Sequence, residues 1–333
     1  VALGPSPLSL LDRGSPPWFV AAADLFVALG KLGRADEMLA LVKELEDTPS
    51  DSRQRAIACA RAAIQVLYTG DPELALRLLD AASRGKGDPT VDGALADAAF
   101  DFKFLAGRIL HPDVSLRACA RYLELGDRRG ASVQAGNAAM SYALIGASAE
   151  GLRVAERFGA SGYQVALNRA LEAAYGGDLG PMIALPDSLP VERARNGQRL
   201  WTTALLLPSD RASAVAELDR VPIATLQPAI RCVALALKSR LSRGEEAIAL
   251  AEQALDVASR GIVAIGPCVL ALAQVEALEG VGRHAEVPQV LREAILDLES
   301  RAGELGDWGP VYLERGLCVA ELREMARARG VSR

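Results

Sequence analysis

The chain has 333 residues, 50% of them hydrophobic and 24% charged, with a net charge of −5 and 5% aromatics. Alanine and leucine supply a long core, and aromatics this sparse argue against a β-sandwich or barrel. No window of eighteen uninterrupted apolar residues exists to span a membrane, and no Lys/Arg run marks a nucleic-acid footprint, Arg128-Arg129 reading as a pair in a turn. The expected class is an all-helical, cytoplasmic protein with neither nucleic acid nor membrane as partner.

The start, Val1-Ala2-Leu3-Gly4-Pro5-Ser6-Pro7, has no initiator methionine and no signal-peptide layout, so 1–14 reads as a linker from an upstream domain and 15–333 as one helical array. Ser15-Pro16-Pro17 opens a first hairpin running from about Trp18 to Leu45, with Gly30-Lys31-Leu32-Gly33 as its turn and Asp36-Glu37 in the first turn of its second helix. The second hairpin, Arg53 to Ser83, turns at Gly70-Asp71-Pro72, and Gly85-Lys86-Gly87-Asp88-Pro89 is a loop. The third, Val91 to Leu125, turns between Gly107 and Pro112, and the fourth, Gly130 to Phe158, at Gly146-Ala147-Ser148.

The fifth and sixth units are shorter. Pro181, Pro186 and Pro190 cut the helix after Gly177, and Pro222 and Pro228 stop the one after Pro208, so 181–228 is expected to be the least regular stretch. The seventh unit, Pro228 to Arg260, turns at Arg243-Gly244-Glu245. The eighth, Ile262 to about Leu305, turns at Gly280-Val281-Gly282, and one terminal helix from Val311 to Arg329 caps the array.

Gly33, Gly70, Gly107, Gly146, Gly177, Gly244 and Gly282 thus recur at intervals of 37, 37, 39, 31, 67 and 38 residues, the longest interval covering two short units. Such a period predicts a right-handed superhelical solenoid of about eight antiparallel helix pairs. Motifs for chemistry are missing. Gly30-Lys31 and Gly85-Lys86 are not completed as a phosphate loop, there is no G-x-S-x-G elbow, and His111 and His284 stand alone in turns. Cys59, Cys119, Cys232, Cys268 and Cys318 lie at least 36 residues apart and read as free structural thiols. No catalytic group, cofactor or metal is expected, and these residues alone should hydrolyse no nucleotide.

Leu29-Gly30-Lys31-Leu32-Gly33-Arg34-Ala35, Tyr142-Ala143-Leu144-Ile145-Gly146 and Gly244-Glu245-Glu246-Ala247-Ile248-Ala249-Leu250 resemble the tetratricopeptide repeat, lengthened as in its MalT-like branch. Gly14-Ser15-Pro16-Pro17-Trp18, Leu125-Gly126-Asp127-Arg128-Arg129 leading to Asn137, and Gly306-Asp307-Trp308 leading to Tyr312-Leu313-Glu314-Arg315 look like the C-terminal repeat region of myxobacterial-type serine/threonine kinases with a STAND ATPase module. That family usually closes the last motif with Val-Pro-Glu-Asn, where this chain has Gly316-Leu317-Cys318-Val319. The resemblance implies a regulatory or sensory repeat domain whose partner is a protein or peptide, or the kinase and ATPase domains of the same polypeptide. The alternatives are the effector-sensing arm of a MalT-like transcription regulator and a stand-alone helical enzyme.

Asn137 and Asn168 stand nine residues before Gly146 and Gly177, so two successive first helices carry an asparagine at one repeat position. In peptide-clamping tetratricopeptide domains that position contacts the ligand backbone, a task suited to an amide that both donates and accepts. The other reading is that each ties neighbouring helices together. Gln134, Ser141, Gln164, Arg169 and Glu172 flank them as further groove candidates, with Arg231 and Lys238 as cationic ends. Tyr163, Tyr175 and Trp201 are read as packing residues.

Overall fold

A computed structural model of the chain describes residues 7–106, 108–259 and 267–331. Most of the 1–14 linker's leading residues, the turn glycine Gly107, Arg260 and the Ile262 start of the eighth unit lie outside the described residues. Those described hold eighteen α-helices and four short 3-10 turns, and no strand, so the fold is all-α. Over the described residues the helices gather in two compact units, one of Val1–Phe102 with Arg117–Ala131 and the other of Lys103–Leu116 with Ser132–Arg333.

The first unit begins with α1 (Pro16–Leu32), α2 (Ala35–Glu46), α3 (Arg53–Thr69) and α4 (Pro72–Ser83). α1 and α4 are capped by side chains: Ser15 Oγ accepts from the Trp18 amide at 3.3 Å, and Asp71 Oδ1 from the Leu74 amide at 2.9 Å. Ala58, Cys59, Ala60, Ala62 and Ala63 bury α3 almost all round, so it packs on α1 and α4 at once. Small side chains allow the close approach, and Gly30 of α1 faces the Gln65 side chain of α3 with no room for a methyl group. Trp18 and Phe19, edge to face at 5.2 Å, fill the space between α1 and its neighbours. The chain continues through α5 (Pro89–Leu105), α6 (Pro112–Glu124) and α7 (Arg128–Ile145), with Arg128 and Arg129 as the first residues of α7 rather than a turn.

In the second unit α8 (Ser148–Phe158) and α9 (Gly162–Tyr175) precede the proline-rich stretch. There α10 (Gly180–Ala184) has five residues, α11 (Glu192–Leu206) fifteen and α12 (Arg211–Asp219) nine, with 3-10 turns at Pro186–Ser188 and Ile223–Thr225. Prolines remove amide donors at these points and the helices stop. Regular lengths return in α13 (Pro228–Leu241), α14 (Gly244–Ser259), α15 (Pro267–Gly280) and α16 (Val287–Glu304). Alternate helices pack on one another, α1 on α3 and α11 on α13 on α15, while α2, α12 and α14 each lie against the helix that follows. The recurring glycines Gly33, Gly70, Gly146, Gly177, Gly244 and Gly282 all adopt positive φ, between 58° and 94°, which explains their interval: each ends or links a helix where a side chain would be strained.

The expected single terminal helix is instead two, α17 (Gly309–Arg315) and α18 (Val319–Ala328). The break is at Gly316, whose amide donates to the Tyr312 carbonyl at 2.9 Å and which sits so close to the Tyr312 ring that a Cβ would lie 2.7 Å from it. Cys318 follows at φ 60°, the one non-glycine with positive φ among the described residues. α15 to α18 share a core of Leu272, Val275, Leu291, Leu298, Tyr312 and Leu322, and Ile145 from α7 is part of it. The same elements also touch α7, α9 and the segment around Lys103 and Arg108. Tyr142 and Trp308 meet edge to face at 5.1 Å, Tyr175 Oη donates to the Arg315 carbonyl at 3.0 Å, and Glu304 receives Lys103 Nζ at 3.5 Å together with Arg108.

All five cysteines are free thiols. Burial raises Cys59 to about 11 and Cys268 to about 12, from an ordinary 9.0, and pushes the Tyr312 hydroxyl above its ordinary 10. A raised acid holds its proton in the folded state after the unfolded chain has lost it. The associated stability is therefore complete below pH 9 and declines as pH rises through the folded values. Chemical denaturation followed from pH 8 to 11 should show a falling midpoint, and Cys59→Ala with Cys268→Ala should flatten the fall. A midpoint constant over that range would contradict this assignment.

Candidate functional site

The second unit carries an open trough of about 870 Å³ between α13, α14 and the 3-10 turn at Ile223. α12, which packs on α13, stops after nine residues, whereas α14, which packs on α13 as well, runs for sixteen. Arg231, Leu235 and Lys238 are four and three residues apart on α13, hence on one face, and all three line it. α14 supplies the facing wall through Leu250, Glu252, Asp256 and Val257, and Ile223 and Ala224 close one edge. Leu235, Leu250 and Val257 are buried and form an apolar floor, while Lys238, Glu252 and Asp256 are exposed on the rims. A second concavity of about 430 Å³ shares Ile223 and Lys238 and extends the space along Val215 and Leu218 of α12.

The opposite side of α13 is fastened. Two residues along a helix turn the side chain by about 200°, and Arg240, beyond Lys238, is buried where it meets Glu276 of α15 at 2.8 Å and Glu321 of α18. Ser239 Oγ donates to the Ala247 carbonyl of α14 at 2.7 Å, which fixes the hairpin angle. α13 is thus fastened on one side and presents Arg231 and Lys238 to the trough on the other, and neither forms an ion pair among the described residues. Cations elsewhere in the unit are mostly paired: Arg169 with Glu156, Arg199 and Arg220 with Asp187, Arg283 with Glu286 and Arg329 with Glu279.

The other sequence-derived candidates gather around α7 and α9, away from this trough, and several are interior. Asn168 is wholly buried: its Nδ2 donates to the Ala139 carbonyl of α7 at 3.3 Å and to the Gln164 carbonyl at 2.9 Å. Its side chain also lies against Gly151 of α8, where a Cβ would come within 2.8 Å of Asn168 Cγ and 3.0 Å of the Ala139 carbonyl oxygen. Asn168 therefore ties three helices and is not a groove residue. Gln134 and Ser141 are buried too and withdraw from the groove for the same reason. Gln164, half-buried, accepts from Ser161 and packs against Gly136 of α7. Asn137 and Glu172 are half-buried, and Arg169 is exposed in its pair with Glu156 at 2.5 Å. Trp201 is buried, and the hydroxyls of Tyr163 and Tyr175 point to Gln198 and the Arg315 carbonyl, so these aromatics pack as expected.

Asn168→Ala should accordingly lower stability by about 1–3 kcal/mol, through two lost hydrogen bonds and the space left behind. Thermal melts check this; an unchanged midpoint would return Asn168 to the surface role.

Comparison with protein-family models, with curated proteins and with solved structures gave no match. Among the described residues no group of three or more His, Cys, Asp or Glu is placed to hold a metal ion, and no helix is long and apolar enough to cross a membrane. The residues that sequence reasoning missed are those of the facing wall, Glu252, Asp256 and the apolar floor. Their signal was the contrast between a helix stopped by Pro222 and its uninterrupted successor.

Proposed function

We propose that the chain is a protein- or peptide-binding scaffold: a TPR-like, right-handed superhelix of about eight antiparallel helix pairs with a C-terminal cap, which receives its ligand in the α13–α14 trough. The observation that carries this reading is the pair Arg231 and Lys238, held by a fastened helix over an apolar floor, with no ion-pair partner among the described residues. Binding sites combine apolar lining with a few placed polar groups in this way. The packing of alternate helices and the left-handed turn glycines support the repeat architecture, to which the contacts of α15 to α18 with α7 and α9 are added beyond those of a nearest-neighbour stack.

In this reading the scaffold is the regulatory or sensory part of a multidomain bacterial signalling protein, cytoplasmic, with a kinase and a STAND ATPase in the same polypeptide. It performs no catalytic step and needs no cofactor or metal. The test is the reading frame that encodes it. Kinase and nucleotide-binding motifs upstream are expected; a helix-turn-helix domain downstream would assign the chain to MalT-like regulators and overturn the kinase association.

A further inference from the structure

We infer that the trough is the seat of an amphipathic α-helical segment from a partner protein, about two turns long, with an acidic edge toward α13 and a basic edge toward α14. The inference rests on the trough being the ligand site proposed above. Three features of the trough carry it.

The first is length. α12 has nine residues and α14 sixteen, a difference of seven residues, or about 10 Å of helix at 1.5 Å per residue. In this fold a second helix lies against the helix that follows it, as α2 does on α3 and α14 on α15. α12 does so on α13 as well, but it ends early, and the chain beyond it is only a 3-10 turn that edges the trough. Among the described residues no helix continues that layer past α12, and a volume of about 870 Å³ is open there.

The second is the apolar floor. Leu235 on one wall and Leu250 and Val257 on the other lie along the bottom, the last two separated by seven residues on α14. Leucine-type residues at i, i+3 or i+4 and i+7 of an incoming helix match such a floor, which is the general pattern of helix-in-groove recognition.

The third is charge. Arg231 and Lys238 are seven residues apart, about 10 Å along α13. A helix laid alongside advances at the same rate, so acidic residues at its i and i+7 positions meet the two cations one to one. On the other wall Glu252 and Asp256 are four residues apart and meet basic residues with the same spacing. A uniformly acidic or uniformly basic segment would face like charge along one wall, so the trough selects a helix with opposite edges.

The experiment uses the whole chain and synthetic 14-residue peptides, each held helical by a lactam staple. One has a leucine stripe with glutamates on one edge and lysines on the other. A second has lysines on both edges, and a third keeps the composition of the first but has a central proline and no staple. Fluorescence anisotropy measures affinity, and hydrogen exchange locates the bound peptide. The first peptide is expected to bind and to protect amides of 228–241 and 244–257, and the proline peptide to bind at least about tenfold more weakly. Arg231→Glu with Lys238→Glu should weaken the first peptide by about tenfold or more and favour the second. The neutral pair Arg231→Gln with Lys238→Gln, which keeps the side-chain bulk, should fall between. Thermal melts of both variants verify folding, since these side chains reach water. Equal binding of the first and third peptides in the trough would overturn the helical occupant and leave the scaffold reading standing. Failure of all three to protect α13 and α14 would overturn both.

Discussion

Gly146→Ala is expected to cost the second unit about 2–5 kcal/mol, against about 1 kcal/mol for Gly177→Ala, although both glycines have nearly the same backbone conformation. Gly146 has φ 88° and Gly177 φ 93°, so each substitution carries the strain of a side chain in the left-handed region. Around Gly177 a Cβ would meet nothing within 4 Å. At Gly146 it would lie 2.5 Å from Arg315 Cβ and 2.7 Å from the Arg315 carbonyl carbon and oxygen, two of which are backbone atoms that cannot rotate away. The segment carrying Arg315 would have to shift, and with it the Tyr175 hydrogen bond to the Arg315 carbonyl and the Tyr142–Trp308 contact. Denaturant melts of the two variants measure the difference. Equal losses at the two glycines would show that the contact between the α7–α8 turn and α17 is absent in solution.

Arg240→Met should be the most damaging single substitution in the trough's support, with a loss of about 3–5 kcal/mol. The guanidinium is 1% exposed and bonds Glu276 at 2.8 and 3.2 Å, with Glu321 on its other side. Burial alone would pull its pKa down, but the hydrogen bonds and charges of Glu276 and Glu321 outweigh this and drive it above the ordinary arginine value. Methionine restores much of the volume but leaves two carboxylates side by side, 29% and 26% exposed, with no cation between them. Adding Glu276→Gln and Glu321→Gln should recover part of the loss, because the repulsion goes and only packing and hydrogen bonding remain to be replaced. If Arg240→Met melts like the parent chain, the ion cluster contributes nothing and α13 is held by its apolar face alone. The same variant should weaken ligand binding even where it stays folded, since α18 and α15 no longer brace the helix that presents Arg231 and Lys238.

Helix content was legible where local chemistry dictates it. Ser15-Pro16-Pro17 announces a helix start, Gly70-Asp71-Pro72 and the recurring glycines announce turns, and Pro181, Pro186 and Pro222 announce interrupted helices, all of which appear. Arg231 and Lys238, read from the sequence as cationic ends, stand seven residues apart on α13, a spacing that puts them on one face whatever surrounds it. Asn168 was not legible. Repeat position gives the angle of a side chain about its own helix but not which neighbour covers that angle, and here Ala139 and Gly151 close over it. Glu252 and Asp256 were not either, since acids four residues apart on a helix have the same pattern whether they edge a trough or an ordinary solvated face. The split of the terminal helix was hidden because Cys318 takes a conformation that cysteine rarely signals.

The contacts that α16 and α17 make with earlier helices have a kinetic consequence. Glu304 is 201 residues from Lys103 and 196 from Arg108 along the chain, and Arg315 is 140 from Tyr175. A stack of nearest-neighbour hairpins can begin folding anywhere and spread, because every contact it needs is local. These pairings instead close very long loops, whose entropy must be lost before the contacts return anything. The Glu304 and Arg315 contacts should therefore form last, after their separate hairpins have consolidated, and break first on unfolding. A ribosome also releases Lys103 long before it makes Glu304, so each new copy spends seconds with the α7 end of the unit bare. In that interval Ile145 and Tyr142, which the finished protein covers with α15 to α17, are open to whatever else is in the cell.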